Sequence, residues 1–225
     1  MHPSDLPLKH CAVLTCTREG IPTYTAQCLD DLRVLGARML TLAGVSDVTL
    51  ARNLLISRAE ATSGEDITVF LLVDDDIIFS RVQAQLLCEQ ALVQEKPVSA
   101  VYPTNERVLA AQRWQNGLWL CGLGFMAVPR ALVTAFAKEH PPFLAKDEQK
   151  VWPFCQSSPS PDGKQWWSED YWFSYNMGGV VLARHAVKHW KRLPLFADEA
   201  TMAELFDPEP TGNQEQDAKP EKAAE

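Results

Sequence analysis

The sequence predicts an α/β fold built on a mainly parallel sheet. Over the first hundred residues, short apolar runs alternate with stretches of helical spacing, the pattern of strand–helix–strand units. Ile67 to Val73 (I-T-V-F-L-L-V) is apolar nearly throughout, as a parallel strand covered on both faces should be. The chain has 225 residues, enough for one domain with a sizeable core.

The elements follow in order. Cys11 to Thr17 reads as a first buried strand, ended by the Thr17-Arg18-Glu19-Gly20 loop. Tyr24 to Leu35 has helical spacing, and Arg38 to Leu42 reads as a second strand. Asp47 to Ala61 reads as a helix with Asp47 as N-cap. After the Ile67–Val73 strand come a helix over Arg81 to Gln94 and a strand over Val98 to Tyr102. Arg107 to Trp114 and Leu118 to Leu120 flank Gln115-Asn116-Gly117, a hairpin signal and thus a small antiparallel addition. Gly124 to Val128 is strand-like, and Pro129 opens a helix to about Lys138. His140 to Gly163 reads as a long loop, of the kind that serves as a lid or is disordered. Ser168 starts a helix that Gly178-Gly179 ends. One domain is expected over residues 1–206, with a disordered acidic tail over 207–225.

Composition narrows the function classes. The net charge of -8 owes much to the acidic stretch after Ala197, and a basic footprint for nucleic acid is absent. None of the six Cys forms a C-x-x-C pair, and most lie in apolar runs. They read as small buried hydrophobes in a reducing compartment. No apolar run has membrane-spanning length. A soluble, cytoplasmic protein is expected.

Asp74, Asp75 and Asp76 directly follow the clearest strand. Ligands of parallel α/β sheets bind outside the carboxyl ends of the strands. Three adjacent carboxylates repel one another, and a hard divalent ion with oxygen ligands would offset that cost. Ile77-Ile78-Phe79 continues the apolar character, so the triplet is embedded in the fold.

The segment V-F-L-L-V-D-D-D-I-I-F resembles the D-x-D region of nucleotide-sugar glycosyltransferases of the GT-A (Rossmann-like) fold, family 2-like. Four further segments fall in that family's order. V-L-T-C-T-R (Val13 to Arg18) resembles the first strand, so Thr15, Thr17 and Arg18 would meet the nucleotide. L-A-R-N-L-L (Leu50 to Leu55) is similar to an A-R-N helix found before D-x-D, including in mannosyltransferases of the fungal Golgi type, so Arg52 would bond the diphosphate. L-C-G-L-G-F (Leu120 to Phe125) resembles the segment lining the donor-sugar pocket, with Gly122 and Gly124 allowing close backbone approach. W-W-S-E-D-Y-W-F (Trp166 to Phe173) resembles the E-D motif of inverting enzymes.

The resemblance implies a metal-dependent, hexosyltransferase-like enzyme. Asp74 and Asp76 would serve Mn²⁺ or Mg²⁺, with Asp75 in support and His189 (or His185) completing the site. Asp170, beside Glu169, would be the base if the enzyme inverts, kept ionised by the helix dipole, or would help position the acceptor if it retains. Trp166 or Trp167 would stack on a sugar or a base. The donor would be UDP- or GDP-linked, and the acceptor a hydroxyl on a glycan, a small molecule or modified DNA. Two alternatives remain: a phage-type DNA glycosyltransferase acting on hydroxymethylated bases, and a catalytically silent GT-A-like binding module. A sugar nucleotidyltransferase is disfavoured, because the loop after the first strand is poor in Gly and Lys. A dehalogenase-type phosphohydrolase is disfavoured because that strand carries no Asp.

Overall fold

The computed structural model describes residues 8–104, 108–191, 193–195 and 202. The expected tail over 207–225, the boundary at 206 and the hairpin start at Arg107 lie outside the described residues. The elements are β1 (Cys11–Thr17), α1 (Thr23–Val34), β2 (Arg38–Ala43), α2 (Val48–Thr62), β3 (Val69–Asp74), β4 (Ile77–Ile78), α3 (Arg81–Gln94) and β5 (Val98–Val101). There follow β6 (Ala111–Arg113), β7 (Trp119–Cys121), β8 (Phe125–Pro129), α4 (Arg130–Glu139), β9 (Phe143–Leu144) and β10 (Lys150–Val151). The last are β11 (Ser158–Pro159), β12 (Trp166–Trp167), α5 (Glu169–Asn176), β13 (Val181–Ala186), β14 (Lys188–Lys191) and β15 (Leu193–Leu195).

Six strands form the central sheet in the order β13-β5-β8-β3-β1-β2. β1 is parallel to both β2 and β3, and β5 is parallel to β13. β8 runs antiparallel between β3 and β5. The fold is thus the mixed α/β arrangement the sequence predicts, with small antiparallel sheets beside it. Side chains alternate between faces along each strand. Val13, Leu71 and Val73 join the core under α1 and α3, while Leu14, Phe70 and Leu72 join the core on the opposite face with Leu55 and Phe136. All five residues of β8 are buried, which lets this strand sit inside the sheet against its neighbours' direction.

Local signals explain several boundaries. Asp47 caps α2, its carboxylate accepting from the Leu50 amide at 3.0 Å. Ser80 and Gln83 form a reciprocal capping box at the start of α3. Gly178 and Gly179, both at positive φ, end α5 as expected. The stretch expected to be one long loop, His140 to Gly163, instead carries the β9–β10 hairpin and the strand β11, which pairs with β12 just beyond it. It is pinned to α2, because both ends of the Asn53 amide bond the Cys155 backbone (2.7 and 2.8 Å) and Ser57 accepts from the Trp152 amide (2.9 Å). Phe154 and Cys155 are buried there. Among the described residues no helix is long and apolar enough to cross a membrane.

Glu95 closes α3 in the left-handed region at φ 52, where a Cβ is strained and glycine is favoured. Glu95→Gly is expected to raise stability by about 0.5 kcal/mol, the relief of that strain exceeding glycine's extra unfolded-state entropy. Urea denaturation measures it, and a loss of stability would contradict the assignment.

Candidate active site

The carboxyl edge of the sheet gathers the expected residues. Asp74 ends β3, and Asp75-Asp76 form the turn into β4. Thr17 ends β1, and Tyr102 follows β5. Because β8 runs backwards, its entry segment Gly122–Gly124 lies at this same edge, and the Asp74 amide donates to the Gly124 carbonyl at 2.9 Å. The first turn of α5 brings Glu169 and Asp170.

Arg52 lies at the centre. Its Nη2 donates to both oxygens of Asp74 (2.9 and 3.0 Å). Its Nη1 donates to Glu169 Oε1 at 2.9 Å and also to Asp170 Oδ1. The Arg52 side chain is only 8% exposed. Burial disfavours its charge, but Asp170 and Asp74 outweigh that and hold the guanidinium charged. Arg52, expected to meet a diphosphate, therefore has both terminal nitrogens engaged within the protein. Asp74, expected beside the metal, has both oxygens on Arg52.

Asp76 has a different partner. β4 pairs antiparallel with β14, placing His189 opposite Ile77. His189 Nε2 lies 2.9 Å from Asp76 Oδ2, and His189 Nδ1 lies 2.7 Å from the Pro103 carbonyl. A carbonyl only accepts, so Nδ1 carries a proton. In a neutral ring Nε2 is then a lone pair facing a carboxylate oxygen, so a proton must be shared between the two groups or a cation must bind beside them. The 2.9 Å separation is that of an ordinary hydrogen bond, and it is also close to the spacing of neighbouring ligands on an octahedral ion of Mg²⁺ size, about 3.0 Å, although the ring would have to turn to aim Nε2 at such an ion. A backbone carbonyl orienting a ligating imidazole is the usual supporting contact. Among the described residues no three His, Cys, Asp or Glu side chains form a metal-holding group. Water or ligand oxygens would have to complete the shell, as is common for Mg²⁺. His185, the other candidate, lies on β13, and burial lowers its pKa.

Asp170 corrects one expectation. The helix start was expected to favour its ionised form, but burial dominates and pushes its pKa up to about 6. Arg52 and the Leu123 backbone amide pull the other way, while Glu169 and Asp74 push up. Burial likewise raises Asp75, partly offset by a hydrogen bond from Thr17.

Other sequence-predicted residues are placed differently. Trp167 is 1% exposed and packs edge-on against Trp114, so it has no free face for a ligand. Its neighbour Trp166 is 72% exposed. Thr15 is fully buried two residues short of the strand end, out of a nucleotide's reach, whereas Arg18 is exposed in the loop beyond. Gly122 and Gly124 are buried and make room for Tyr102 instead of a sugar. A Cβ on them would fall 2.3 and 2.6 Å from the Tyr102 hydroxyl, which accepts from the Gly124 amide at 2.8 Å. Tyr102 also meets the His189 ring edge-on at 5.5 Å. Sequence reasoning missed Tyr102, although it closes a predicted strand at the ligand-binding edge, the same signal that singled out Asp74. A cavity of about 730 Å³ lined by Glu60, Leu92 and Arg130, among others, lies at the opposite edge and includes none of these residues.

No protein-family model matches the chain, and no curated protein matches it. Among solved structures, A197 from STIV is similar with a TM-score of 0.51 and 15% identity, over 84% of this chain and 95% of that one. At that identity the likeness concerns the fold alone. The 4-diphosphocytidyl-2C-methyl-D-erythritol synthase from Anaerococcus prevotii DSM 20548 overlaps with a TM-score of 0.40 and 11% identity, over 85% of this chain and 94% of that one. A glycosyltransferase involved in the glycosylation of the major capsid of PBCV-1 overlaps with a TM-score of 0.28 and 10% identity, over 56% of this chain and 62% of that one. Overlaps as loose as these two add no functional argument.

Removing the central cation leaves three partly buried carboxylates facing one another. Arg52→Met is expected to cost about 3 kcal/mol, at the lower end of the range for a broken buried pair because Asp74 and Asp170 keep some water contact. Denaturant melts at neutral pH measure this. A cost within about 0.5 kcal/mol of zero would show that the cluster does not support the fold.

Proposed function

We propose that this chain is a GT-A-like glycosyltransferase that moves a sugar from a UDP- or GDP-linked donor to a hydroxyl acceptor with inversion. The supporting observation is that Asp76 and His189, 113 residues apart in sequence, meet just past the strand end that carries Asp74, which Arg52 ties to Asp170 at the start of α5. Asp76 and His189 would hold Mn²⁺ or Mg²⁺, which when bound supplies positive charge for a departing diphosphate. The cluster needs such charge, because a diphosphate would otherwise enter among carboxylates. Asp170 accepts the proton of the acceptor hydroxyl as that oxygen bonds the anomeric carbon. The bond from that carbon to the diphosphate oxygen breaks, and its electron pair leaves with the nucleoside diphosphate. A base with a pKa near 6 is mostly ionised at neutral pH yet still basic enough to take a proton. Trp166, exposed four residues before Asp170, offers the acceptor an aromatic face.

Thermal melting with UDP or GDP, with and without Mn²⁺, tests the reading. At a hundred times Kd the ligand should add about 2.7 kcal/mol, a Tm rise of about 5–10 °C for a chain of this size. Asp76→Ala and His189→Ala should each remove the Mn²⁺-dependent part. The absence of any shift with every nucleoside diphosphate would leave a silent binding module.

Asp170→Asn should abolish transfer while nucleotide binding persists. Asp170 is protonated as pH falls through its raised pKa, so kcat/KM should drop about tenfold per unit below pH about 6 and level off above it. A profile flat down to pH 4.5 would exclude Asp170 as the base.

A further inference from the structure

The Arg52 cluster joins residues from both sides of the proposed reaction. Asp74 belongs to the strand end that leads to Asp76 and His189, the donor side. Asp170 starts α5 as the base, on the acceptor side. A single guanidinium touches both, with one nitrogen on each. Arg52 sits within the 15-residue helix α2, whose next residue, Asn53, is fixed to the Cys155 backbone through both ends of its amide. The fork is therefore mounted on a rigid support. A phosphate could reach it only by displacing a carboxylate.

We propose that Arg52 is a positioning residue for sugar transfer, holding Asp74 and Asp170 in one ion cluster so that the base stays in register with the donor. The role rests on the glycosyltransferase reading above. Asp170 has two donors from two elements, Arg52 on α2 and the Leu123 amide ahead of β8. A carboxylate accepts about four hydrogen bonds, so acceptor capacity remains for a substrate hydroxyl. Asp74 acts through Arg52, leaving cation binding to Asp76 and His189. A lysine cannot take over this role, because an ammonium is a compact point charge without the planar fork that reaches three carboxylates at once. Misplacing a base by about 1 Å can cost about a hundredfold in rate.

The test compares wild type, Arg52→Lys and Asp74→Asn. Calorimetry measures the Kd of the nucleoside diphosphate with Mn²⁺, and initial rates at saturating donor give kcat. Arg52→Lys should lower kcat about a hundredfold while Kd stays within about threefold. Asp74→Asn, which keeps the shape and removes the charge chelated by the guanidinium, should lower kcat at least tenfold, again with Kd within about threefold. Asp74→Asn also decides the matter if Arg52→Lys does not fold. Wild-type kcat in either folded variant overturns the role. A Kd that rises as steeply as kcat falls also overturns it, because Arg52 or Asp74 would then be contacting the donor directly. A wild-type chain that transfers no sugar from any donor overturns the glycosyltransferase reading and this role with it.

Discussion

The architecture of the carboxyl edge depends on one buried guanidinium. Asp74, Glu169 and Asp170 come from a strand end and a helix start that are distant in sequence, and like charges so close would push the two elements apart. Arg52 turns that repulsion into an attachment. It also divides the three consecutive aspartates. Asp74 is drawn inward to α2, Asp75 goes to the Thr17 hydroxyl, and Asp76 faces His189. Neighbouring residues of one turn thus serve three different partners.

The same contacts account for the environment of Asp170. Burial raises the pKa of its carboxyl, and the guanidinium and the Leu123 amide restrain that rise. The result lies between a solvated carboxylate and a deeply buried acid. Tyr102 adds a second layer. Its hydroxyl occupies the space left by two glycines, and its ring meets His189 edge-on, so the segment entering β8 and the imidazole share one aromatic neighbour.

Much of the scaffold was legible in the sequence because its signals are local. The apolar run before Asp74, the cap at Asp47 and the paired glycines after α5 each act within a few residues. Motif order and spacing also singled out Asp170 and His189, which the structure places beside Arg52 and Asp76 respectively. What escaped depended on tertiary geometry. Arg52 was singled out as a diphosphate ligand, but nothing local says that its fork faces three carboxylates of the chain itself. Trp166 and Trp167 are adjacent on a two-residue strand, so one must point in and the other out. The letters W-W carry no preference. The glycines before β8 signalled a close approach, but the approaching group is a tyrosine from another strand.

The pairing of β4 with β14 also bears on how the protein is made. Asp76 emerges from the ribosome early, within the portion that can form β1, β2 and β3, whereas its partner His189 emerges more than a hundred residues later. At ordinary elongation speeds of about 5–20 residues per second, the nascent chain spends several seconds with Asp76 present and no imidazole to face it. The contact between Asp76 and His189 therefore forms only after β14 has been made, whereas β1, β2 and β3 can pair before it.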